Sequence, residues 1–232
     1  MTGLSRLRIT VKELHSLAEK AEVICLNRQN FLKVGYDSAR NIVKTFDLTR
    51  TGFLHNYFFS DGKNFINNAV RLKKKGVQTI EPLSWSWCSQ EKYEVITYKP
   101  LPGKTVYETI RDEKDGGILP AFASFVASLH QKKIYFRAGH ADNYLVQPNK
   151  EFALIDVDNT RFIISLRRRA KNLAYIVDHA NRNFRELFQY YSFSEFLETY
   201  LEAAKMNKIK KKVILFWIHT YLKKQGCLSY LT

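Results

Sequence analysis

Residues 134–161 constrain this chain more than any other stretch. They read Ile-Tyr-Phe-Arg-Ala-Gly-His-Ala-Asp-Asn-Tyr-Leu-Val, then Gln-Pro-Asn-Lys-Glu, then Phe-Ala-Leu-Ile-Asp-Val-Asp-Asn-Thr-Arg. Two short apolar runs, 144–146 and 152–155, flank a polar turn at Pro148-Asn149-Lys150, which predicts an antiparallel hairpin. Each run has an oxygen ligand at one end: Asn143 just before the first, Asp156 just after the second. A hairpin places these two side by side, where both can hold one Mg²⁺ and the phosphates of a nucleotide. The alternative is a surface hairpin that happens to end in an Asn and an Asp.

The chain has 232 residues, which suits one large domain or two small lobes. A net charge of +15 predicts an anionic partner. Nucleic acid, an acidic membrane face and a phosphorylated glycolipid all qualify, and a solvated basic surface is the bland alternative. Three well-separated cysteines, Cys25, Cys88 and Cys227, point to a reducing compartment, with neither a disulfide framework nor a zinc site. The longest apolar run, 213–218, is flanked by lysines and falls short of the ~18 residues a membrane span needs. Residues 1–20 lack an apolar signal core, which predicts a cytoplasmic chain that is not secreted.

Periodicity predicts an amphipathic helix over 4–20, with Leu4, Leu7, Val11, Leu14 and Leu17 on one face. Strands follow at 22–26, 31–36 and 40–46. The last contains Lys44, whose ammonium is costly to bury without a partner; an outward-pointing edge-strand Lys is the alternative reading. A helix is predicted over 61–75, begun by Asp61 and stopped by Gly76, with Asn67 and Asn68 in its middle. A hairpin, 83–88 and 93–98, leads into the linker Lys99-Pro100-Leu101-Pro102-Gly103. Helices are then predicted at 118–131, from 165 or 166 to 179, at 184–191, at 193–205 behind a Ser192/Glu195 capping box, and at 208–224 before Gly226.

This order resembles the protein-kinase-like fold. The resemblance implies an α+β bilobal architecture, with a small antiparallel-sheet N-lobe (1–99) and a helical C-lobe (100–232) that carries the catalytic and metal hairpin 134–161. It implies ATP and Mg²⁺ as cofactors. Lys44 would touch the phosphates, and Asn143 and Asp156 would bind the metal-nucleotide, with Asp158 as a further metal ligand. Within that fold the motif Tyr135-Phe136-Arg137-Ala138-Gly139-His140-Ala141-Asp142-Asn143, followed by Ile155-Asp156, resembles bacterial lipopolysaccharide core heptose kinases, nearest the toluene-tolerance-protein branch. The resemblance implies phosphorylation of an inner-core sugar, a lipopolysaccharide core glycolipid as partner, and a cytoplasmic protein peripheral on the anionic inner-membrane surface, with no nucleic acid.

The sequence departs from that pattern at three points. No Gly-rich loop precedes Lys44, the 61–75 helix offers no acid in its core, and Ala138 stands five residues before Asn143, where active relatives place a catalytic Asp. Two readings follow. In one, catalysis survives, with Asp142, His140 or Asp158 standing in as the base, because phosphoryl transfer is mainly positioning and charge stabilisation. In the other, the protein is a pseudokinase scaffold in envelope glycolipid assembly. Arg137 and Arg161 are candidate contacts to anionic groups. A basic nucleic-acid-binding module is a third reading that the charge allows, although no zinc-finger spacing, RNA-recognition aromatic motif or basic zipper is present.

Overall fold

The computed structural model describes residues 4–49, 59–114, 116–184 and 192–227. The chain divides into two compact units, Met1–Leu101 and Pro102–Thr232. Unit 1 is rich in sheet and unit 2 in helix. Among the described residues, no helix is long and apolar enough to cross a membrane.

Unit 1 runs β1 (Arg6–Arg8), α1 (Val11–Lys20), β2 (Glu22–Leu26), β3 (Leu32–Tyr36), β4 (Ile42–Asp47), α2 (Asp61–Lys74), β5 (Gln78–Thr79), β6 (Glu81–Cys88) and β7 (Tyr93–Lys99). Six strands form one sheet in the order β1-β6-β7-β4-β3-β2, antiparallel except for the parallel β1–β6 pair. Strand alternation sorts β4 onto two faces. Val43 joins Leu14, Leu32, Tyr93 and Val95 in a core beneath α1. Phe46 faces α2 instead, where Phe65 packs 5.5 Å from both Phe46 and Tyr98. With both faces covered, Val43, Lys44, Thr45 and Phe46 are all buried.

Lys44 sits in that central strand, between Val34 and Ile96, and is 7% exposed. The outward-pointing edge position is therefore excluded. Its ammonium lies 5.1 Å from the Phe46 ring and 5.0 Å from the Phe65 ring, a cation–π arrangement that recovers part of the cost of burial.

The expected helix over 4–20 is corrected. Residues 6–8 form a strand, and helix begins only at Val11, where Thr10 and Glu13 make a capping box. The reason lies far away in sequence. Arg6 reaches the fully buried carboxylate of Glu94 at 2.9 Å and stacks on Trp87 at 4.5 Å. Glu94 also accepts from Ser60 Oγ, the Gly62 amide and Trp85 Nε1. Burial raises the Glu94 pKa, and Arg6 and these donors oppose that rise. Arg6→Ala is expected to destabilise unit 1 by about 2–3 kcal/mol, since it strands a buried carboxylate; a denaturant titration measures it, and Arg6→Lys should recover part of the loss.

The helix at 61–75 is observed as α2, capped by Ser60 with Asp61 as its first residue. Most of the expected helix at 184–191 lies outside the described residues.

Unit 2 runs β8 (Lys104–Thr105), α3 (Val106–Glu113), α4 (Leu119–Gln131), β9 (Tyr135–Phe136), β10 (Tyr144–Val146), β11 (Phe152–Leu154), β12 (Thr160–Arg161), α5 (Leu166–Asn183), α6 (Phe193–Ala203) and α7 (Lys208–Gln225). Its centre is α4, whose Leu119, Phe122, Ala123, Val126 and Ala127 are wholly buried. Phe122 packs on Phe196 of α6 at 5.7 Å and edge-on to Tyr144 of β10 at 4.7 Å. Phe125 stacks on Phe152 of β11 at 5.0 Å. These contacts seat the β10–β11 hairpin on α4 and so fix where its two ends lie.

Candidate functional site

The hairpin ends carry the site. Register pairs Tyr144 with Leu154 and Val146 with Phe152. One step further, the Ile155 amide donates to the Asn143 carbonyl at 3.1 Å. Asn143 therefore lies across from the residue next to Asp156, as the hairpin reading expects.

Asn143 ends a single 3₁₀ turn, Ala141–Asn143, and is 6% exposed. Its amide nitrogen donates to the Ala138 carbonyl at 2.8 Å and meets His140 Nε2 at 3.0 Å. Both amide hydrogens are thus used, and the Oδ1 end is left as the acceptor or ligand. The carbonyl of Ala138, the residue that replaces the expected acid, serves to orient Asn143.

Asp156 adopts the left-handed conformation, φ 56° and ψ 49°. Asp tolerates this region better than most residues, but it still costs about 1 kcal/mol or more. The other non-glycine residues with positive φ lie elsewhere: Asn30, Arg40, Lys92 and Lys150 between strands, Lys114, Lys133 and Lys205 just past helices. Asp156 instead turns the chain from β11 directly into the 3₁₀ turn Val157–Asn159, and such strain is found at ligand-holding positions. Asp158 lies on that turn, where its carboxylate accepts from Asn159 Nδ2 at 2.8 Å.

His140 stacks on His179 of α5, with ring centroids 4.1 Å apart and planes 12° apart. Sequence reasoning missed His179, because thirty-nine residues separate the pair and no local signal links them. Burial, then the neighbouring His179, lowers the His140 pKa to about 4, opposed by the Asp156 charge. His140 is neutral near pH 7. Its Nε2 faces the Asn143 amide, so its proton belongs on Nδ1, which lies 3.7 Å from Asp142 Oδ2. That geometry makes His140 a brace for Asn143 with no lone pair spare for a substrate proton.

His140, Asp142 and His179 offer ligand atoms within 4.8 Å of one another. A metal there would need the lone pair of His140 Nδ1, the nitrogen that carries the proton, so the tautomer argues against it. Asp142 is the better placed of the expected bases. Burial, then Glu108 of α3, raises its pKa, and a raised carboxylate pKa favours proton acceptance near neutrality. Lys44 belongs to unit 1.

Gly139 is confined. A Cβ on it would lie 2.7 Å from Asn172 Nδ2, 2.7 Å from the Tyr144 hydroxyl and 2.8 Å from the Phe136 carbonyl. Gly139→Ala is expected to cost about 1–3 kcal/mol by overpacking, read as a lower thermal midpoint, and to shift the 140–143 turn that carries Asn143.

No family model matches the chain. No curated protein matches it either. Among solved structures, a pseudokinase in its apo form matches with a TM-score of 0.49 and 13% identity, over 96% of this chain and 98% of that one. A TM-score below 0.5 does not show a shared fold, so this likeness carries no part of the reading that follows.

Proposed function

We propose that the protein is a kinase-like phosphotransferase that binds Mg²⁺–ATP through the ends of the β10–β11 hairpin and phosphorylates a sugar of the lipopolysaccharide inner core. The observation that carries this reading is the pairing of Asn143, with its amide hydrogens committed and its Oδ1 left over, beside a left-handed Asp156. An amide oxygen and a carboxylate are hard oxygen donors, the set Mg²⁺ prefers when nucleotide phosphates and water complete its shell. Bound there, the ion would neutralise charge on the phosphates. His140 and the Ala138 carbonyl hold Asn143 in position. Asp142 is assigned the acceptor proton, and Asp158 a supporting metal contact. The resemblance alone assigns the phosphates to Lys44. The lipopolysaccharide substrate and the peripheral inner-membrane location likewise rest on the motif Tyr135–Asn143 and on the +15 charge.

The pseudokinase reading has one observation in its favour: Ala138 offers no proton acceptor, and its carbonyl is spent on Asn143. A positioned base contributes roughly 10²–10⁴-fold, so its loss would leave either slow transfer or none. Transfer of label from γ-labelled ATP to purified core glycolipid separates the two. Incorporation that needs Mg²⁺ supports the enzyme. Mg²⁺–ATP binding without incorporation makes the protein a pseudokinase, and no nucleotide binding at all overturns both readings.

A further inference from the structure

We propose that a basic cleft in unit 2, walled by β9, β12, the first turns of α5 and the last turns of α7, binds a bis-phosphorylated saccharide. The cleft encloses about 710 Å³ and is lined by Arg137, Arg161, Arg167, Arg168 and Lys171, together with Tyr135, Ile163, Ile164, Ser165 and Tyr221. No carboxylate lines it. Among the described residues, none of the five cations forms an ion pair with an acid. The cations converge: burial raises the pKa of the Tyr135 phenol, and Arg137, Arg168 and Arg161 all lie close enough to oppose that rise.

Charge and shape choose the ligand. Arg167 is held by the Tyr221 hydroxyl at 3.0 Å and by the Trp217 ring at 4.8 Å, so it forms a fixed wall. Arg168 gives one nitrogen to the Ile163 carbonyl and keeps the rest of its fork. Arg137, Arg161 and Lys171 complete the set. A phosphomonoester carries about −1.5 to −2 at neutral pH, so two of them offset most of the charge of these five cations and relieve their mutual repulsion. Guanidinium forks grip phosphate oxygens two at a time. The volume falls within the roughly 300–1,000 Å³ of small-ligand sites, and Ile163, Ile164 and Tyr221 provide apolar surface for a sugar ring. Tyr135 is only 8% exposed, which leaves little of its ring for a nucleobase to stack on.

The site supplies an acceptor side to the function proposed above, but the binding it predicts does not depend on nucleotide. The test is calorimetric titration of the full chain with a hexose bisphosphate, and co-sedimentation with phosphatidylcholine vesicles with and without a bis-phosphorylated disaccharide lipid. The wild type is expected to bind the hexose bisphosphate. Arg137→Gln/Arg161→Gln is expected to weaken that binding at least about tenfold, since two charge-assisted contacts are lost. Both side chains are exposed, and a circular-dichroism melt checks that the fold is kept. Lys208→Gln/Lys210→Gln is expected to leave affinity unchanged. Lys210 precedes Tyr221 on α7 by about 16 Å of helix, beyond the ~8–10 Å screening length. Asp156→Asn should also leave it unchanged, so the cleft and the nucleotide reading can fail separately. Recruitment to the lipid-bearing vesicles identifies a headgroup as the ligand, and binding of the hexose bisphosphate alone identifies a soluble phosphosugar. Three results overturn the proposal: no binding of either probe, an equal loss in the Lys208/Lys210 variant, or displacement of the bisphosphate by an RNA oligonucleotide at lower concentration.

Discussion

Asp156→Asn is expected to abolish Mg²⁺-dependent nucleotide binding while the protein stays folded. Asn, like Asp, tolerates the left-handed conformation that this position requires, φ 56° and ψ 49°, so the backbone turn survives. What is lost is one negative charge at the proposed ion. Disturbing a residue that merely orients a metal ligand costs about 10–100-fold in affinity, so neutralising a ligand itself should cost at least about 100-fold. Calorimetric titration with Mg²⁺–ATP reads this directly. The same variant removes the charge that opposes the lowering of the His140 pKa, so that pKa should fall further below about 4. A folded Asp156→Asn protein that binds Mg²⁺–ATP as the wild type does would remove the carboxylate from the site.

His130→Ala should produce the largest loss of stability, about 3–5 kcal/mol. His130 is wholly buried at the end of α4. Its Nδ1 lies 2.8 Å from the Tyr200 hydroxyl of α6, and its Nε2 lies 3.0 Å from Asn172 Oδ1 of α5. Asn172 in turn donates to the Phe136 carbonyl of β9 at 3.0 Å, and Arg169 donates to the His130 carbonyl at 3.0 Å. One imidazole thus links three helices and, through Asn172, the strand before the site turn. Removing it strands two buried polar partners, each at about 1–3 kcal/mol, and opens a cavity. The pH dependence is a second signature. Burial lowers the His130 pKa to about 3 from 6.5, so below pH 6.5 the unfolded chain takes up a proton that the folded chain refuses. Stability is therefore full above pH 6.5 and falls on acidification towards pH 3, by up to ~1.4 kcal/mol per pH unit from this group. His130→Ala should be weaker at pH 7 yet lose less on acidification, as read from denaturant midpoints across that range.

What the sequence made legible follows from the range of the interaction behind each feature. The strands at 32–36, 42–47 and 93–99 and the helices at 119–131 and 193–203 are written in local periodicity and caps. The adjacency of Asn143 and Asp156 was also legible, because a tight hairpin turns sequence spacing into register. The strand at 6–8 was not, because its cause is an ion pair to Glu94, eighty-eight residues away. The helix at 106–113 does not stand out in the sequence although Thr105 and Glu108 form a capping box, since eight residues are too few for a clear periodicity. The basic start of α5, with Arg167, Arg168 and Lys171, is legible as a charged helix, but His179 reaches His140 only when α5 packs, and no spacing announces that.

In the proposed complex, oxygen atoms of Asn143 and Asp156 hold the metal of the metal–nucleotide. Pulsed electron paramagnetic resonance of Mn²⁺–ATP bound to the protein tests it most directly. The expected spectrum shows bound Mn²⁺ coupled to phosphorus and without histidine nitrogen coupling, and the signal disappears in Asp156→Asn. Imidazole nitrogen coupling that persists in Asp156→Asn would place the ion at His140, Asp142 and His179, and would contradict the claim.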